Sequence, residues 1–291
     1  MTLRELIHRT EKQFLQADLF YGHGTDNALD DAFFLVMVTL NLGFDCSEEQ
    51  LNQTLTTDQI KKIERLINKR INEHIPVAYL VNHAWFAGHK FYVNENVLIP
   101  RSPLAELITS DFQPWVKPES VKSIIDIGTG SACIAIACAH QFKHASIDAV
   151  DIDDAAIQVA NKNVELHQLD SRVKIIKSDL FEKLSDKKYN LIISNPPYVS
   201  HAEMQTLPKE YSHEPGHALV AENDGLAIID KILRQSVKHL TDEGVLIVEV
   251  GNCMQAVDDN YPDLPLTWLE FEHGGNGVFL ISRAELEKSK I

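Results

Sequence analysis

The chain has 291 residues, with 27 Lys and Arg against 42 Asp and Glu, so its formal net charge is −15 at pH 7. Its hydrophobic content of 44% is typical of a globular protein, and its length predicts about two domains. The acidic balance disfavours a general nucleic-acid binder, which needs a basic face, and it favours a partner that is itself basic.

The sequence also disfavours a membrane span, a secretion signal and a disulfide framework. The apolar run 32–38 covers seven residues, whereas a membrane span needs about twenty. Glu5 stands where a signal peptide would need its apolar region. The four cysteines form no C-x-x-C pair, so we expect reduced thiols rather than disulfides or metal ligands.

Residues 1–75 predict a small helical domain. Residues 28–42 are apolar nearly all round, which is typical of a central helix. Capping boxes are predicted at 47–50 and 56–59, and isoleucines then recur at helical spacing until Pro76.

Residues 76–100 predict a β-hairpin that links this domain to a second one over 101–291. Gly88 and His89 form the expected turn. The residues that favour strands are Tyr79, Leu80, Trp85, Phe86, Phe91, Tyr92, Val93, Val97 and Ile99.

From Val121 onwards strands and helices alternate, which predicts an α/β fold with a mostly parallel sheet and helices on both faces. The predicted strands are 123–127, 146–151, 173–177, 189–194, 244–250, 266–271 and 278–282. The predicted helices are 131–142, 154–167 and 225–240. We therefore expect a Rossmann-like sheet of seven strands, closed by an antiparallel pair.

A glycine turn follows the first of these strands, from Asp126 through Gly128 and Thr129 to Gly130. In an open α/β sheet, ligands bind beyond the carboxyl ends of the strands. Gly128 and Gly130 can adopt positive φ and admit a ligand close to the backbone. Asp151 ends the next strand, 21 residues after Gly130, and this spacing suits a carboxylate that binds two ribose hydroxyls.

The turn lacks the features of a phosphate-binding loop. Cys133 stands where a dinucleotide fingerprint has a small residue, and no Gly-Lys-Ser/Thr follows the glycines. Asp126 would repel phosphate but can bind an ammonium group. S-adenosylmethionine carries an ammonium and a ribose without phosphate, so these residues favour it as the cofactor. The alternative is a tight strand–helix turn that binds nothing.

Asp179 and Leu180 come just after the strand 173–177. In a nucleotide site at this edge, Asp179 can accept the adenine amino hydrogen while Leu180 packs on the ring. An ordinary helix N-cap at Asp179 explains the residue equally well.

The motif Asn195-Pro196-Pro197-Tyr198 ends the strand 189–194. The prolines hold the neighbouring carbonyls rigidly, so the Asn195 amide oxygen and the Pro196 carbonyl can accept from one NH2 group while Tyr198 stacks on it. An amide nitrogen is a poor nucleophile, and two acceptors can direct its lone pair at a methyl carbon. A simple strand terminator is the alternative.

Asp126–Gly130, Asp151 and Asn195–Tyr198 together resemble the class I S-adenosylmethionine-dependent methyltransferases that modify planar NH2 groups. The motif occurs in N(6)-adenine nucleic-acid methyltransferases and in protein glutamine N(5)-methyltransferases, and the resemblance to the second family covers nearly the whole chain. The further segments that carry it are Pro76–Leu80, Leu98–Pro103, His213–Pro215, Ala218-Leu219 and Glu249–Gly251.

This resemblance implies binding of S-adenosylmethionine, release of S-adenosylhomocysteine, no metal, a cytoplasmic location and substrate recognition by residues 1–75; we expect a monomer. The implied cofactor-binding residues are Asp126, Gly128, Thr129, Gly130, Asp151, Asp179, Leu180 and Asn195. The implied substrate-binding residues are Asn195, Pro196, Pro197 and Tyr198, of which Asn195, Pro196 and Tyr198 are catalytic.

Two bacterial branches of the family differ in substrate, which is either peptide-chain release factors or 50S ribosomal protein 3 (uL3). Release-factor enzymes usually read Ile-Pro-Arg-Pro-Asp-Thr-Glu where this chain reads Ile-Pro-Arg-Ser-Pro-Leu-Ala-Glu over 99–106. With Trp268–Phe271 and Gly274–Gly277, this junction resembles the ribosomal-protein branch. Ala132 replaces a glycine that is usual in the family, and we expect the helix start to be retained.

Two histidine pairs and Glu214 have more than one interpretation. His140 with His144, and His213 with His217, have helical metal spacing but no third ligand nearby in sequence, so a metal is not expected. Glu214 either shapes the substrate channel or lies in a surface turn.

Overall fold

The computed structural model describes residues 1–222 and 225–289. Its helices are α1 (Leu3–Gln16), α2 (Ala28–Thr39), α3 (Glu48–Leu51), α4 (Thr57–Glu73), α5 (Val77–Val81), α6 (Leu104–Thr109), α7 (Cys133–Gln141), α8 (Asp154–Leu166), α9 (His201–Met204), α10 (Gly216–Leu219), α11 (Ala227–His239), α12 (Met254–Asn260) and α13 (Arg283–Ser289). Its strands are β1 (His83–Phe86), β2 (His89–Tyr92), β3 (Ser123–Ile127), β4 (Ser146–Asp151), β5 (Val173–Lys177), β6 (Tyr189–Ser194), β7 (Leu240–Glu249), β8 (Thr267–Trp268) and β9 (Val278–Ser282).

Seven strands form one sheet in the order β5-β4-β3-β6-β7-β9-β8. The first five strands of this order run parallel, and β9 is antiparallel to both β7 and β8. Strand β3 is buried on both faces, at Ile124, Ile125 and Ile127, as expected for a parallel sheet covered by helices. The predicted Rossmann-like sheet with an antiparallel end is confirmed. The chain crosses from one side of β3 to the other between β5 and β6, so the carboxyl ends of β3 and β6 flank a topological switch point.

The helices of residues 1–75 surround a buried apolar core. Helix α2 contributes four consecutive buried residues, 34–37, as its continuous apolar sequence predicts. Both predicted capping boxes are present, because Ser47 and Thr56 cap α3 and α4 by accepting from the backbone amides three residues later. None of the helices in the described part of the chain is both long enough and apolar enough to cross a membrane.

The segment 76–100 differs from the predicted hairpin. Tyr79 and Leu80 lie in α5 rather than in a strand, because Val77, Ala78 and Tyr79 are all buried and this packing overrides the strand preference of an aromatic residue. The hairpin spans only β1 and β2. Its turn is Ala87-Gly88 rather than Gly88-His89, with φ of 47° and 78°, as a two-residue type I′ turn requires.

Smaller differences arise at element ends. Helix α7 begins at Cys133 because Ala132 adopts a left-handed conformation with φ 62°, which explains why glycine suits this position. The helix predicted over 131–142 thus forms, but it begins two residues later, and Ala132 precedes it instead of lying within it. Strand β7 begins directly after α11 at Leu240, four residues before the prediction, and β8 has two residues instead of six.

A buried asparagine on α8 contributes to holding the hairpin against the sheet domain. Asn163 accepts from the Tyr92 backbone N–H at 2.7 Å and donates to the carbonyls of Tyr92 and Ser131 at 3.0 and 2.8 Å. The apolar core that holds α1, α2 and α4 also reaches Ala156 and Val159 of α8, and from the segment 76–100 it includes Val77, Ala78, Tyr79, Ala84, Val93, Val97 and Ile99. Phe86 and Phe91 of the hairpin pack instead into the core of the sheet domain. The predicted division into domains at 75 and 100 stays a prediction.

Candidate active site

The carboxyl ends of β3, β4, β5 and β6 border a cavity of about 310 Å³. Most of the predicted site residues line it: Gly128, Thr129, Gly130, Asp151, Asp179, Leu180, Asn195, Pro196 and Pro197. Asp126 and Tyr198 do not. The glycine turn and the Asn-Pro-Pro motif, 65 positions apart from Gly130 to Asn195, therefore open into one space.

The glycine turn leaves room for a ligand against its backbone. Gly128 and Gly130 have φ of 71° and 52°, and a Cβ added to either would meet no heavy atom within 4 Å. The turn is fixed because the Gly128 and Thr129 N–H groups both donate to the Val150 carbonyl at 2.9 Å. Side chains at these two positions would occupy the open space and strain the backbone.

Asp126 lies behind the cavity wall rather than in it. Its side chain is fully buried, and Oδ2 accepts from the Thr129 hydroxyl at 2.5 Å and from the Ala135 N–H at 3.2 Å. Burial raises the pKa of this carboxyl to about 7. Oδ1 has no hydrogen-bond partner among the described residues. A buried acceptor without a partner is costly, and a water bridge to a ligand ammonium in the cavity can satisfy it.

Asp151 is fixed at the end of β4 by two backbone amides. Oδ2 accepts from Gly130 N–H at 2.8 Å and Oδ1 from Asp153 N–H at 3.0 Å. Because each carboxylate oxygen can accept more than one hydrogen bond, Asp151 can still bind a pair of hydroxyls. Its rotamer is thereby set before any ligand arrives.

Asp179 and Leu180 lie in a turn beyond β5 and do not begin a helix. The alternative of a helix N-cap is therefore wrong. Leu180 takes a positive φ of 44°, which is unusual for a branched residue. Both side chains belong to the cavity wall, with an acceptor and an apolar surface side by side.

Tyr198 anchors the loop that follows β6. Its hydroxyl donates to Glu249 Oε1 at 3.2 Å, and burial raises its pKa. The ring packs so closely on Gly251 that a Cβ there would lie 2.4 Å from Tyr198 Cε2. The Tyr198 carbonyl accepts from the Cys253 thiol at 3.0 Å. The predicted contact of Tyr198 with substrate stays a prediction.

Glu249, at the end of β7, is a residue of this site that reasoning from local chemistry missed. It is 4% exposed and accepts hydrogen bonds from Ser102 Oγ at 2.5 Å and from the Tyr198 hydroxyl at 3.2 Å. Burial raises its pKa to about 7, while the Asn195 side chain is among the groups that oppose this rise. A carboxylate beside the Asn195 amide suits the NH2 end, which leaves the oxygen end available as an acceptor. The resemblance of Glu249–Gly251 to a family segment was the only signal for it.

Glu214 is buried and does not lie in a surface turn. It accepts from both terminal nitrogens of Arg101, at 2.6 and 2.5 Å, and from the Ile99 N–H at 3.0 Å. Arg101 lines the cavity. Burial raises the pKa of Glu214, but the neighbouring His23, with Nε2 3.5 Å from Glu214 Oε2, and Arg101 outweigh it and lower the pKa to about 2. Glu214 thus fixes segment 99–101 at the cavity mouth.

Because Glu214 is ionised in this pair, we expect the free energy of unfolding to fall in acid. The pKa of Glu214 is about 2 in the folded protein against its ordinary value of 4.5. The contribution of the ionised carboxylate to stability is therefore complete above pH 4.5 and is lost as the pH falls towards 2. The full shift corresponds to about 3 kcal/mol. We expect the difference in unfolding free energy between wild type and Glu214→Gln, measured with urea, to narrow from pH 6 to pH 3. A difference that stays constant would contradict this assignment.

Comparisons with known proteins place the chain in a family. The model of the methyltransferase small domain family matches residues 109–221. A ribosomal protein uL3 glutamine methyltransferase of Francisella tularensis is 43% identical over 290 residues, which cover 99% of this chain and 92% of that protein. A protein of the same name from Neisseria meningitidis is 43% identical over 98% of this chain and 94% of its own length. The chain belongs to the glutamine methyltransferase family of these relatives.

The fold is also found in solved methyltransferases. The hMettl16 catalytic domain, crystallised with a MAT2A 3′UTR hairpin, aligns with a TM-score of 0.54 and 19% identity, over 78% of this chain and 82% of that one. At this identity the likeness concerns the fold alone. The predicted family and fold are thus confirmed, and the cavity at the switch point lies where this fold binds ligands.

Proposed function

We propose that this protein transfers a methyl group from S-adenosylmethionine to the side-chain amide nitrogen, N(5), of a glutamine in ribosomal protein uL3. One observation carries the proposal: Asn195 and Pro196 line the same cavity as the glycine turn and Asp151. Acceptors for an amide NH2 group therefore face groups suited to an amino acid and a ribose. The relatives named as uL3 glutamine methyltransferases support the choice of substrate.

The cavity residues fit the cofactor at each of its parts. The space at Gly128 and Gly130 and the partnerless oxygen of Asp126 suit the amino-acid end. Asp151 suits the ribose hydroxyls, and Asp179 with Leu180 suits adenine. When bound, S-adenosylmethionine supplies an electrophilic methyl group.

The protein's part in the reaction is to hold and aim the glutamine nitrogen. Asn195 Oδ1 and the Pro196 carbonyl accept its two hydrogens, which positions the remaining lone-pair density towards the methyl carbon. Positioning of this kind can lower a barrier by about 7 kcal/mol. The nitrogen becomes acidic as the new N–C bond forms, so its proton leaves to water and no strong base is needed beforehand.

Gly251→Ala should lower kcat by about 10²-fold because the added methyl group would lie 2.4 Å from the Tyr198 ring and displace the loop that carries Asn195 and Pro196. Methyl transfer at saturating cofactor and substrate measures this. Gly274→Ala is the matched control: its φ of 84° brings similar backbone strain, but its Cβ would meet nothing within 4 Å. Equal losses in both variants would mean that strain, and not Tyr198, is the cause.

The proposed substrate is tested by offering the enzyme two proteins as methyl acceptors. Ser102 lines the cavity and donates to Glu249. A Cβ on Gly275 would lie 2.9 Å from the neighbouring Pro103, so the two segments that resemble the ribosomal-protein branch pack against each other. We expect labelled methyl groups in purified uL3, located on one glutamine by peptide mass mapping, and none in a purified release factor. Label in the release factor alone would assign this protein to the other branch.

Nucleic acid serves as a third acceptor in the same assay. The net charge of −15 disfavours binding of nucleic acid and favours a basic ribosomal protein through long-range attraction. Label in DNA or RNA would replace the glutamine proposal by N(6)-adenine methylation.

A further inference from the structure

Three histidines meet at the face of the sheet domain that holds the hairpin. His89 begins β2, His140 lies in the last turn of α7, and His167 follows α8 as its C-cap. One ring nitrogen from each lies within 4.8 Å of the other two, and all three side chains are half-buried. None of them lines the proposed active site. Separations of 51 and 27 residues explain why the histidine pairs in the sequence gave no indication of this cluster.

A hydrogen bond presents one nitrogen in the form that a metal requires. His167 Nε2 lies 2.9 Å from the Lys90 carbonyl, which can only accept, so this nitrogen carries the proton and Nδ1 carries a lone pair. Metal-bound histidines commonly donate their second N–H to a backbone carbonyl in this way. His140 Nε2 lies 3.0 Å from that Nδ1 and donates to it. Metal binding would require His140 to move this proton to its Nδ1, and the stacked rings of His89 and His140, 18° apart, to turn towards the ion.

The helix ends around the cluster favour a cation. The carboxyl ends of α7 and α8 converge here, and helix carboxyl ends favour positive charge. The nearest guanidinium, of Arg172, donates to the carbonyls of Ala139 and Phe142.

We propose that His89, His140 and His167 bind one Zn²⁺ ion, with water as the fourth ligand. Imidazole nitrogens suit zinc, and three protein ligands with one open position are a known zinc arrangement. The ion would join the hairpin to α7 and α8, alongside the hydrogen bonds of Asn163 to Tyr92. The site is structural and takes no part in methyl transfer, so this proposal does not depend on the proposed function.

The test measures Zn²⁺ binding to the full-length chain after removal of any histidine tag and treatment with a chelator. A chromophoric chelator competes for the metal, and Co²⁺ absorption reports a tetrahedral nitrogen site. We expect one Zn²⁺ per chain and a rise in melting temperature on its addition. His140→Gln should weaken binding at least about 10-fold, since loss of even an outer hydrogen-bond partner of a ligand has effects of this size. His144→Gln, which removes an exposed histidine on the same segment, should leave binding unchanged.

Equal binding by wild type, His140→Gln and His144→Gln would mean adventitious surface binding and overturn the proposal. Binding of less than one ion per chain at micromolar zinc would overturn it too. Unfolding of each chelator-treated variant is followed by circular dichroism. If His140→Gln does not fold, His89→Gln carries the same comparison, because His89 begins β2 next to the hairpin turn and belongs to neither apolar core.

Discussion

Asn195→Ala should lower kcat for methyl transfer by at least about 10²-fold while the affinity for S-adenosylhomocysteine changes only a few-fold. The variant removes one of the two acceptors proposed to hold the glutamine nitrogen, and misplacement of a reacting atom by about 1 Å has effects of this size. The Asp151, Asp179 and Leu180 side of the cavity is unaltered, so product binding persists. Steady-state kinetics with uL3 and calorimetric titration with S-adenosylhomocysteine measure the two quantities.

Asn190→Ala is the matched control on the same strand. Asn190 lies near the amino end of β6 and accepts from the backbone N–H groups of Lys122 and Ser123 at 2.8 and 3.0 Å. Its removal should lower stability without changing kcat, because that end of the sheet is opposite the cavity. An Asn195→Ala variant with near-normal turnover would refute the proposed role of the amide. Loss of S-adenosylhomocysteine binding would instead show that Asn195 acts mainly on the cofactor.

The sheet domain was the most predictable part because its rules are local. Strands 123–127, 146–151, 173–177, 189–194 and 278–282 match the structure residue for residue. Each is a short apolar run bounded by turn residues. The parallel arrangement then brings the glycine turn and the Asn-Pro-Pro motif to one edge without further information. A ligand cavity between them was therefore predictable from motif positions.

Tertiary contacts decided what the sequence could not predict. The aromatic Tyr79 favours a strand by itself, but its hydroxyl donates to the Val97 carbonyl at 2.6 Å and its helix packs into the core. In the sequence, Glu249 is recognisable only as the end of a strand, and its contacts with Ser102 and Tyr198 appear only in the fold. In the sequence, Glu214 resembles a polar turn residue, because Arg101, its partner in the fold, is 113 positions away. In each case the partner is remote in sequence and no periodicity marks it.

A second buried ion network joins the N-terminal helices to the loop that follows the Asn-Pro-Pro motif. Arg70 of α4 is 2% exposed and donates to Asp31 of α2 at 2.9 Å, to Glu210 at 2.8 Å and to the Phe20 carbonyl at 2.7 Å. Glu210 also accepts from the Phe20 N–H at 2.9 Å. These bonds lower the pKa of Glu210 against the effect of burial. Residues 199–215, which leave the active site, are thereby fixed to the helices proposed to recognise the substrate.

Arg70→Met should lower the unfolding free energy by about 3–5 kcal/mol, because it leaves Asp31 and Glu210 as buried carboxylates without their cation. Urea denaturation followed by circular dichroism measures this. Arg65→Met, on the exposed face of the same helix, should change stability by less than about 0.5 kcal/mol.

The triple variant Arg70→Met, Asp31→Asn, Glu210→Gln should recover part of the loss, since buried ion networks replaced by neutral groups of similar volume are often tolerated. If the triple variant is no more stable than Arg70→Met, the loss comes from the packing of the arginine stem and not from unpaired charge. If Arg70→Met behaves like Arg65→Met, the network does not hold the two parts of the chain together.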